Sequence, residues 1–136
     1  MSLEIRDLSS EKMDLVFQKI QEKAKQIAKQ TGTEISFAFI DVAAIPAPTD
    51  ERMRKTIAES AQDLGLSFQV MPSGAGHDAQ DIAQITPTGM IFVPSVGGIS
   101  HSPKELTRPQ DMANGANVLL QTILKIDAGA LELTQK

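Results

Sequence analysis

Hydrophobic residues recur at intervals of three and four along three stretches of the chain, and this spacing predicts amphipathic helices over residues 10–31, 50–64 and 107–127. A shorter helix is predicted over residues 77–85. Residues that commonly cap or stop helices flank the three long stretches. The candidate N-caps are Ser9 or Ser10, Thr49 or Asp50, and Thr107, and the candidate stops are Gly32 and Gly65.

Four shorter stretches predict β-strands, over residues 3–7, 34–42, 66–71 and 89–94. In the second of these, Ile35, Phe37 and Phe39 alternate with smaller residues, which is typical of a strand with one buried face. The fourth is a continuous apolar run, GMIFVP, typical of a buried parallel strand. Alternating strands and helices predict an α/β fold. Two prolines within AIPAPTDE indicate a boundary between two structural units near residues 44–49.

The composition excludes several classes of function. The chain has 136 residues, 41% of them hydrophobic, and a net charge of −4 with a pI near 5.1, which argues against nucleic acid as a partner. It has no cysteine, so disulfides, thiolate nucleophiles and cysteine zinc sites are excluded and a reducing compartment, the cytoplasm, is expected. No apolar run approaches the roughly 20 residues that span a bilayer.

Two glycine-rich turns, PSGAGHD and SVGGISH, follow the third and fourth predicted strands. Ligand sites of parallel sheets gather at the carboxyl ends of strands, so we expect His77 and His101 on one rim of the sheet. A helix that begins near His77 or Asp78 would direct its free N–H groups at an anion or a carbonyl oxygen. The residues alone favour a simpler interpretation, in which GAGHDA is a tight turn, Asp78 caps a short helix, His77 faces water and His101 is a surface loop residue.

Other chemistry finds less support in the sequence. No phosphate-binding glycine pattern is complete. A Ser–His–Asp triad could combine Ser73 or Ser100 with His77 and Asp78, but neighbours in sequence rarely reach triad geometry. A catalytic zinc site takes about three protein ligands, and two histidines supply only part of one.

The run MPSGAGHDAQDIAQITPTGMIFVPSVGGISHSPKELTRPQD resembles, over its full length, the C-terminal end of the amidase/hydantoinase/carbamoylase branch of the aminoacylase-like metallopeptidases. Members include allantoate amidohydrolase, N-carbamoyl-L-amino acid hydrolase and beta-ureidopropionase. LEIRDLSSEKM is similar to the Leu-Asp-Ile-Arg strand of the family's lid domain. The resemblance implies a partial lid β-α-β unit at residues 1–44, which belongs to a lid and dimerisation domain. It also implies that residues 45–136 are the C-terminal α-β-α-β-α half of a zinc-peptidase-like catalytic domain.

The resemblance also assigns roles to individual residues. His101 in GISHSP matches a metal ligand. Gly76 and His77 match the substrate-facing turn, where the imidazole is catalytic because it stabilises negative charge that develops on the scissile carbonyl. Arg6 matches the lid arginine that binds the substrate carboxylate, a task suited to a planar cation. Glu105 matches either a carboxylate behind the metal ligand or an ordinary surface glutamate.

The reaction implied by the resemblance is hydrolysis of a linear amide or ureido C–N bond of a small molecule, with water activated by zinc or manganese. The remaining metal ligands and the catalytic glutamate base of the family have no match in these 136 residues. We therefore expect a C-terminal fragment that is inactive alone, binds metal weakly or not at all, and assembles into a homodimer or larger oligomer. The alternative is a free-standing binding or interaction module derived from the same fold.

Overall fold

The structure is a computed structural model that describes residues 1–40 and 45–131. Its helices are α1 (Ser10–Thr31), α2 (Glu51–Asp63), α3 (Ala79–Ile82) and α4 (Pro109–Lys125), with a 3₁₀ turn at Val96–Gly98 and a π-helical turn at Ile126–Ala130. The chain divides into two compact units. The first unit comprises Met1–Pro48 and Pro72–Gln84, and the second comprises Thr49–Met71 and Ile85–Lys136. None of the helices in the described ranges has both the length and the apolar character needed to cross a membrane.

The predicted strands are wrong for the residues that the structure describes. Residues 3–7, 34–40, 66–71 and 89–94 are neither helical nor paired into a sheet, and residues 41 and 42 lie outside the described ranges. A strand exists only where a neighbour completes its backbone hydrogen bonds, and alternation within one segment does not show whether that neighbour is present. The helical part of the predicted α/β fold is thus confirmed and its sheet is not, while the assignment to lid and catalytic domains stays a prediction.

Helix α1 of the first unit begins and ends as its sequence predicts. The N-cap is Ser9, whose hydroxyl accepts a hydrogen bond from the Lys12 N–H at 3.3 Å. Gly32 ends the helix with a left-handed φ of 70°, a conformation that suits a residue without a Cβ. The Phe17 ring makes edge contacts with Phe37 and Phe39 at centroid distances of 5.6 and 5.3 Å. These ring contacts bring Phe37 and Phe39 of segment 34–40 against α1, although no strand pairing fixes that segment.

Helix α2 of the second unit begins at Glu51, and its N-cap is Asp50, one of its two predicted caps. The Asp50 carboxylate accepts hydrogen bonds from the Arg52 and Met53 N–H groups and pairs with the Arg52 guanidinium at 2.9 Å. The hydrogen bond from the Arg52 side chain, aided by those two backbone donors, lowers the pKa of Asp50 from 3.8 to about 2.

Two other predicted helix boundaries are wrong. The N-cap of α4 is Arg108 rather than Thr107, without a side-chain cap bond, and Pro109 occupies the first turn, where its missing N–H costs nothing. The short helix α3 spans only four residues of the predicted 77–85. The Asp78 side chain makes no cap hydrogen bond, which removes the interaction expected to extend this helix.

Helices α2 and α4 are in contact, and most of their buried residues are small. The buried residues of the two helices are Thr56, Ser60, Ala61, Val118 and Thr122. Each of the three hydroxyls among them donates to the carbonyl four residues earlier at 2.7 to 2.9 Å, so all three have a hydrogen-bond partner.

The segment 89–93 packs against both helices at two glycines. A Cβ at Gly89 would lie 2.8 Å from Ile57 Cδ1, and a Cβ at Gly115 would overlap Val93 Cγ1. An apolar cavity of about 440 Å³ opens beside this packing, between α2, α4 and the segment. Part of α4 remains uncovered. The side chains that are more than half exposed there include Leu119, Leu120, Ile123 and Leu124.

Candidate functional site

The turn that carries His77 is held by its own side chains. Ser73 Oγ lies 2.7 Å from His77 Nε2, and the same oxygen accepts a hydrogen bond from the Ala75 N–H at 3.3 Å. Both members of the Ser73–His77 pair are partly buried. A serine and the histidine four residues later are therefore joined across the glycine-containing turn.

Gln80 fixes the same turn from the other side. Its Oε1 accepts a hydrogen bond from the His77 N–H at 3.1 Å, and its Nε2 donates to the Ile45 carbonyl at 3.2 Å. A Cβ at Gly76 would lie 3.5 Å from Gln80 Oε1, an ordinary contact distance. The side chain thus ties the turn to a segment 35 residues earlier in the same unit.

The helix predicted to begin near His77 or Asp78 begins at Ala79 and has only four residues, and the His77 N–H donates to Gln80. The anion-binding role of this helix start stays a prediction. The carbonyls of His77 and Asp78 accept from the N–H groups of α3, as in an ordinary first turn.

Arg6 lies beside the glycine turn. Its Nη1 donates to the Gly74 carbonyl at 3.2 Å across 68 residues of sequence, and its Nε donates to the Glu4 carboxylate at 2.6 Å. The Arg6 side chain is 61% exposed, so the guanidinium is accessible from solvent. Arg6, Gly76 and His77, which the resemblance grouped as substrate residues, therefore occur together in the first unit.

His101 lies in a closed loop of the second unit. The loop is joined at its ends by a hydrogen bond of 2.8 Å from the Val96 N–H to the Leu106 carbonyl. His101 has a left-handed φ of 55°, which is uncommon for a residue with a side chain. Glu105 Oε2 accepts a hydrogen bond from the His101 N–H at 2.9 Å and so stabilises this backbone conformation. Glu105 thus contacts the backbone of His101.

The two histidines belong to different units, and the residues described by the structure form no sheet whose rim they could share. The prediction that His77 and His101 lie on one rim of a sheet is therefore wrong for the described residues, because they form no sheet. Across residues 1–40 and 45–131, no group of three or more histidine, aspartate or glutamate side chains could hold a metal ion. Since a catalytic zinc site takes about three protein ligands, these residues do not fit a complete metal site. The roles of Arg6, Gly76, His77 and His101 stay predictions.

Sequence reasoning missed Gln80 and rated Ser73 only as part of an unfavoured triad. Gln80 lies three residues after His77, the spacing of a capping box, but the N-cap of α3 is Asp78 and no Ser or Thr occupies position 77, so the sequence offers no complete capping-box pattern for Gln80. Ser73 carried no signal either, because its contact with His77 depends on the path of the turn.

Comparison with known proteins supports the resemblance. Residues 7–125 match the peptidase family M20/M25/M40. The chain is 40% identical to a ureidoglycolate hydrolase of Arabidopsis thaliana, covering 93% of this chain and 26% of that protein. It is 37% identical to an N-carbamoyl-L-amino-acid amidohydrolase of a Pseudomonas species, covering 91% of this chain and 30% of that one.

A solved structure agrees with these relatives. The crystal structure of an amidase of the hydantoinase/carbamoylase family from Burkholderia multivorans superposes with a TM-score of 0.76 at 33% identity, over 88% of this chain and 29% of that chain. The chain therefore spans less than a third of the length of each of these three proteins. The resemblance to hydantoinase/carbamoylase amidases is confirmed, and the chain belongs to peptidase family M20/M25/M40.

Proposed function

We propose that the chain is the C-terminal part of a metal-dependent amidohydrolase that cleaves a linear amide or ureido C–N bond. The substrate class is that of the N-carbamoyl amino acids, allantoate and ureidopropionate. Each of these molecules combines a ureido group with a carboxylate, so a site for them needs a cation and a donor to a carbonyl oxygen. We also propose that the complete enzyme acts in the cytoplasm.

The observation that carries this proposal is the contact between Arg6 and the glycine turn. The hydrogen bond from Arg6 Nη1 to the Gly74 carbonyl places a permanent cation next to the turn that bears His77. An arginine has five N–H donors, and Nε and Nη1 account for the contacts of Arg6 among the described residues. The guanidinium thus retains donors for a carboxylate, and its exposed contact with Glu4 is of a kind that a ligand readily replaces.

His77 supplies the second element. A ring N–H donates to the carbonyl oxygen of the ureido group and stabilises the negative charge that grows there when the carbon is attacked. Arg6 holds the carboxylate end of the molecule, so the scissile carbonyl is positioned instead of diffusing freely. Neither residue supplies the nucleophile or the base.

The remaining metal ligands and the base come from outside these 136 residues in this proposal. His101 contributes one imidazole, and Glu105 holds the loop that presents it. Other parts of the enzyme must supply ligands because a catalytic zinc takes about three protein ligands and His101 provides one. No contact among the described residues favours the free-standing binding module.

The substrate-binding half of the proposal can be tested on the chain as it stands. We would titrate the isotope-labelled chain with N-carbamoylglycine, acetate or methylurea and follow the backbone signals of Gly76 and His77 by NMR. N-carbamoylglycine should perturb both signals at lower concentration than either of its parts. Arg6→Gln should weaken this binding by at least roughly tenfold, because hydrogen bonds to a charged group contribute about 1.5 to 3 kcal/mol.

Arg108→Gln is the matched control, because it removes an equal charge from the second unit. Glu4→Gln should tighten the binding of N-carbamoylglycine, because it removes the carboxylate that occupies Arg6 Nε. If Arg6→Gln and Arg108→Gln had the same effect, Arg6 would not bind the carboxylate and the proposal would be wrong at this step.

A further inference from the structure

Gln80 is hydrogen-bonded at both ends of its side-chain amide. Its Oε1 accepts from the His77 N–H at 3.1 Å, and its Nε2 donates to the Ile45 carbonyl at 3.2 Å. A backbone N–H can only donate and a carbonyl can only accept, so these two partners determine which end of the amide is oxygen and which is nitrogen. A carboxylate could satisfy only the N–H, and an ammonium only the carbonyl. This pair of contacts therefore favours a side-chain amide at position 80.

The two segments that Gln80 joins differ in stiffness. The turn before His77 contains two glycines, and glycine loses more conformational freedom on ordering than any other residue. Ile45 is followed by Pro46, and Pro48 comes two residues later. Proline fixes its own φ and restricts the residue before it to extended conformations. Gln80 thus anchors a flexible turn to a stretch of backbone that has little freedom of its own.

We propose that Gln80 is a positioning residue that holds the His77 backbone in place before a ligand reaches the turn. The inference rests on the proposed function for its purpose, since His77 is there the group that meets the ureido carbonyl. Arg6 contacts the turn separately, through the Gly74 carbonyl. Loss of the Gln80 amide therefore keeps the contact of Arg6 and releases the His77 end of the turn. A ligand with a ureido group would then have to order that end as it binds, whereas a simple carboxylate would not.

The first measurement follows the two contacts without any ligand. We would record hydrogen exchange of the His77 N–H and the ¹³C shift of the Ile45 carbonyl by NMR for the full chain, Gln80→Met and Gln80→Glu. Gln80→Met removes both polar ends, so it should move the Ile45 signal and speed His77 exchange roughly two- to tenfold, which corresponds to one ordinary hydrogen bond. Gln80→Glu keeps the acceptor and lacks the donor, so it should move the Ile45 signal and leave His77 exchange slow. Both substitutions leave the other contacts of His77 in place, so the comparison with the wild type does not depend on them.

The second measurement titrates the same variants with N-carbamoylglycine and with acetate. Gln80→Met should weaken N-carbamoylglycine binding roughly two- to tenfold and leave acetate binding unchanged, a split that a general loss of structure would not produce. Gln84→Met is the matched control, because the Gln84 side chain donates to the Gln80 carbonyl and not to the turn, and it should leave both measurements unchanged.

Unchanged His77 exchange in Gln80→Met would overturn the inference, and so would equal weakening of N-carbamoylglycine and acetate. The exchange measurement needs no ligand or metal, so it can succeed while the Arg6 titration fails, or the reverse.

Discussion

Replacement of Gly115 by alanine tests how closely the segment before the His101 loop packs on α4. Gly115 lies in the interior of this helix, where alanine is ordinarily better than glycine by roughly 0.5 to 1 kcal/mol. At this position the new Cβ would overlap Val93 Cγ1, and overpacking typically costs about 1 to 3 kcal/mol. Val93 is β-branched and stiff about χ1, so its methyl group does not simply rotate away. The net expectation is a loss of about 1 kcal/mol in the free energy of unfolding.

The assay is urea unfolding followed by circular dichroism for the wild type, Gly115→Ala, Val93→Ala and the double variant. In the Val93→Ala background the overlapping methyl is gone, so Gly115→Ala should now stabilise the chain by up to about 1 kcal/mol. The sign of the effect therefore reverses, with a coupling energy of about 1 to 3 kcal/mol. If Gly115→Ala stabilised the chain equally in both backgrounds, segment 89–93 would not pack on α4 as the structure shows.

Three further predictions concern acid stability, self-association and metal binding. The pKa of Asp50 is about 2 in the folded chain and 3.8 ordinarily, so the folded chain binds fewer protons than the unfolded chain in this range. The stabilisation that the Asp50 carboxylate contributes is therefore complete above about pH 4 and is lost as the pH falls toward 2. Thermal unfolding should show this loss for the wild type and not for Asp50→Asn, which keeps a cap oxygen. The uncovered apolar side chains of α4 should drive self-association. Light scattering should give a smaller mass for Leu120→Lys than for the equally charged control Asn117→Lys, and a monomeric wild type at high concentration would contradict this. Zinc or manganese should bind weakly by calorimetry, with no hydrolysis of N-carbamoyl amino acids or allantoate by the chain alone. Tight binding and turnover that His101→Ala abolishes would mean that the chain builds a complete site.

The helices could be predicted where the information is local. Spacing at three and four places the apolar stripe of α1, and Ser9 and Gly32 mark its ends with side chains that act within one turn. Asp50 marks the start of α2 in the same way. The prediction of Thr107 as the N-cap of α4 was wrong because Pro109 is the first helical residue, and the residue before it, Arg108, is then the N-cap.

The strands and most of the site contacts could not be predicted in this way. Whether residues 34–40 or 89–94 pair depends on a neighbour, and nothing in those residues specifies one. The contact between Arg6 and Gly74 crosses 68 positions, so only the family resemblance brought Arg6 into the site. The contact of Ser73 with His77 depends on the path of the turn between them, and the sequence does not determine that path because glycine adopts many backbone conformations.

Reconstitution tests the central claim most directly. We would co-express this chain with the part of the Pseudomonas N-carbamoyl-L-amino-acid amidohydrolase that lies outside the matched segment, supply zinc or manganese, and measure ammonia released from an N-carbamoyl-L-amino acid. If the chain is the C-terminal part of such an enzyme, the pair hydrolyses the substrate, neither part does so alone, and His101→Ala or His77→Ala in this chain abolishes the activity. An assembled pair that binds metal yet releases no ammonia, or a pair whose activity survives both substitutions, would contradict the proposed function.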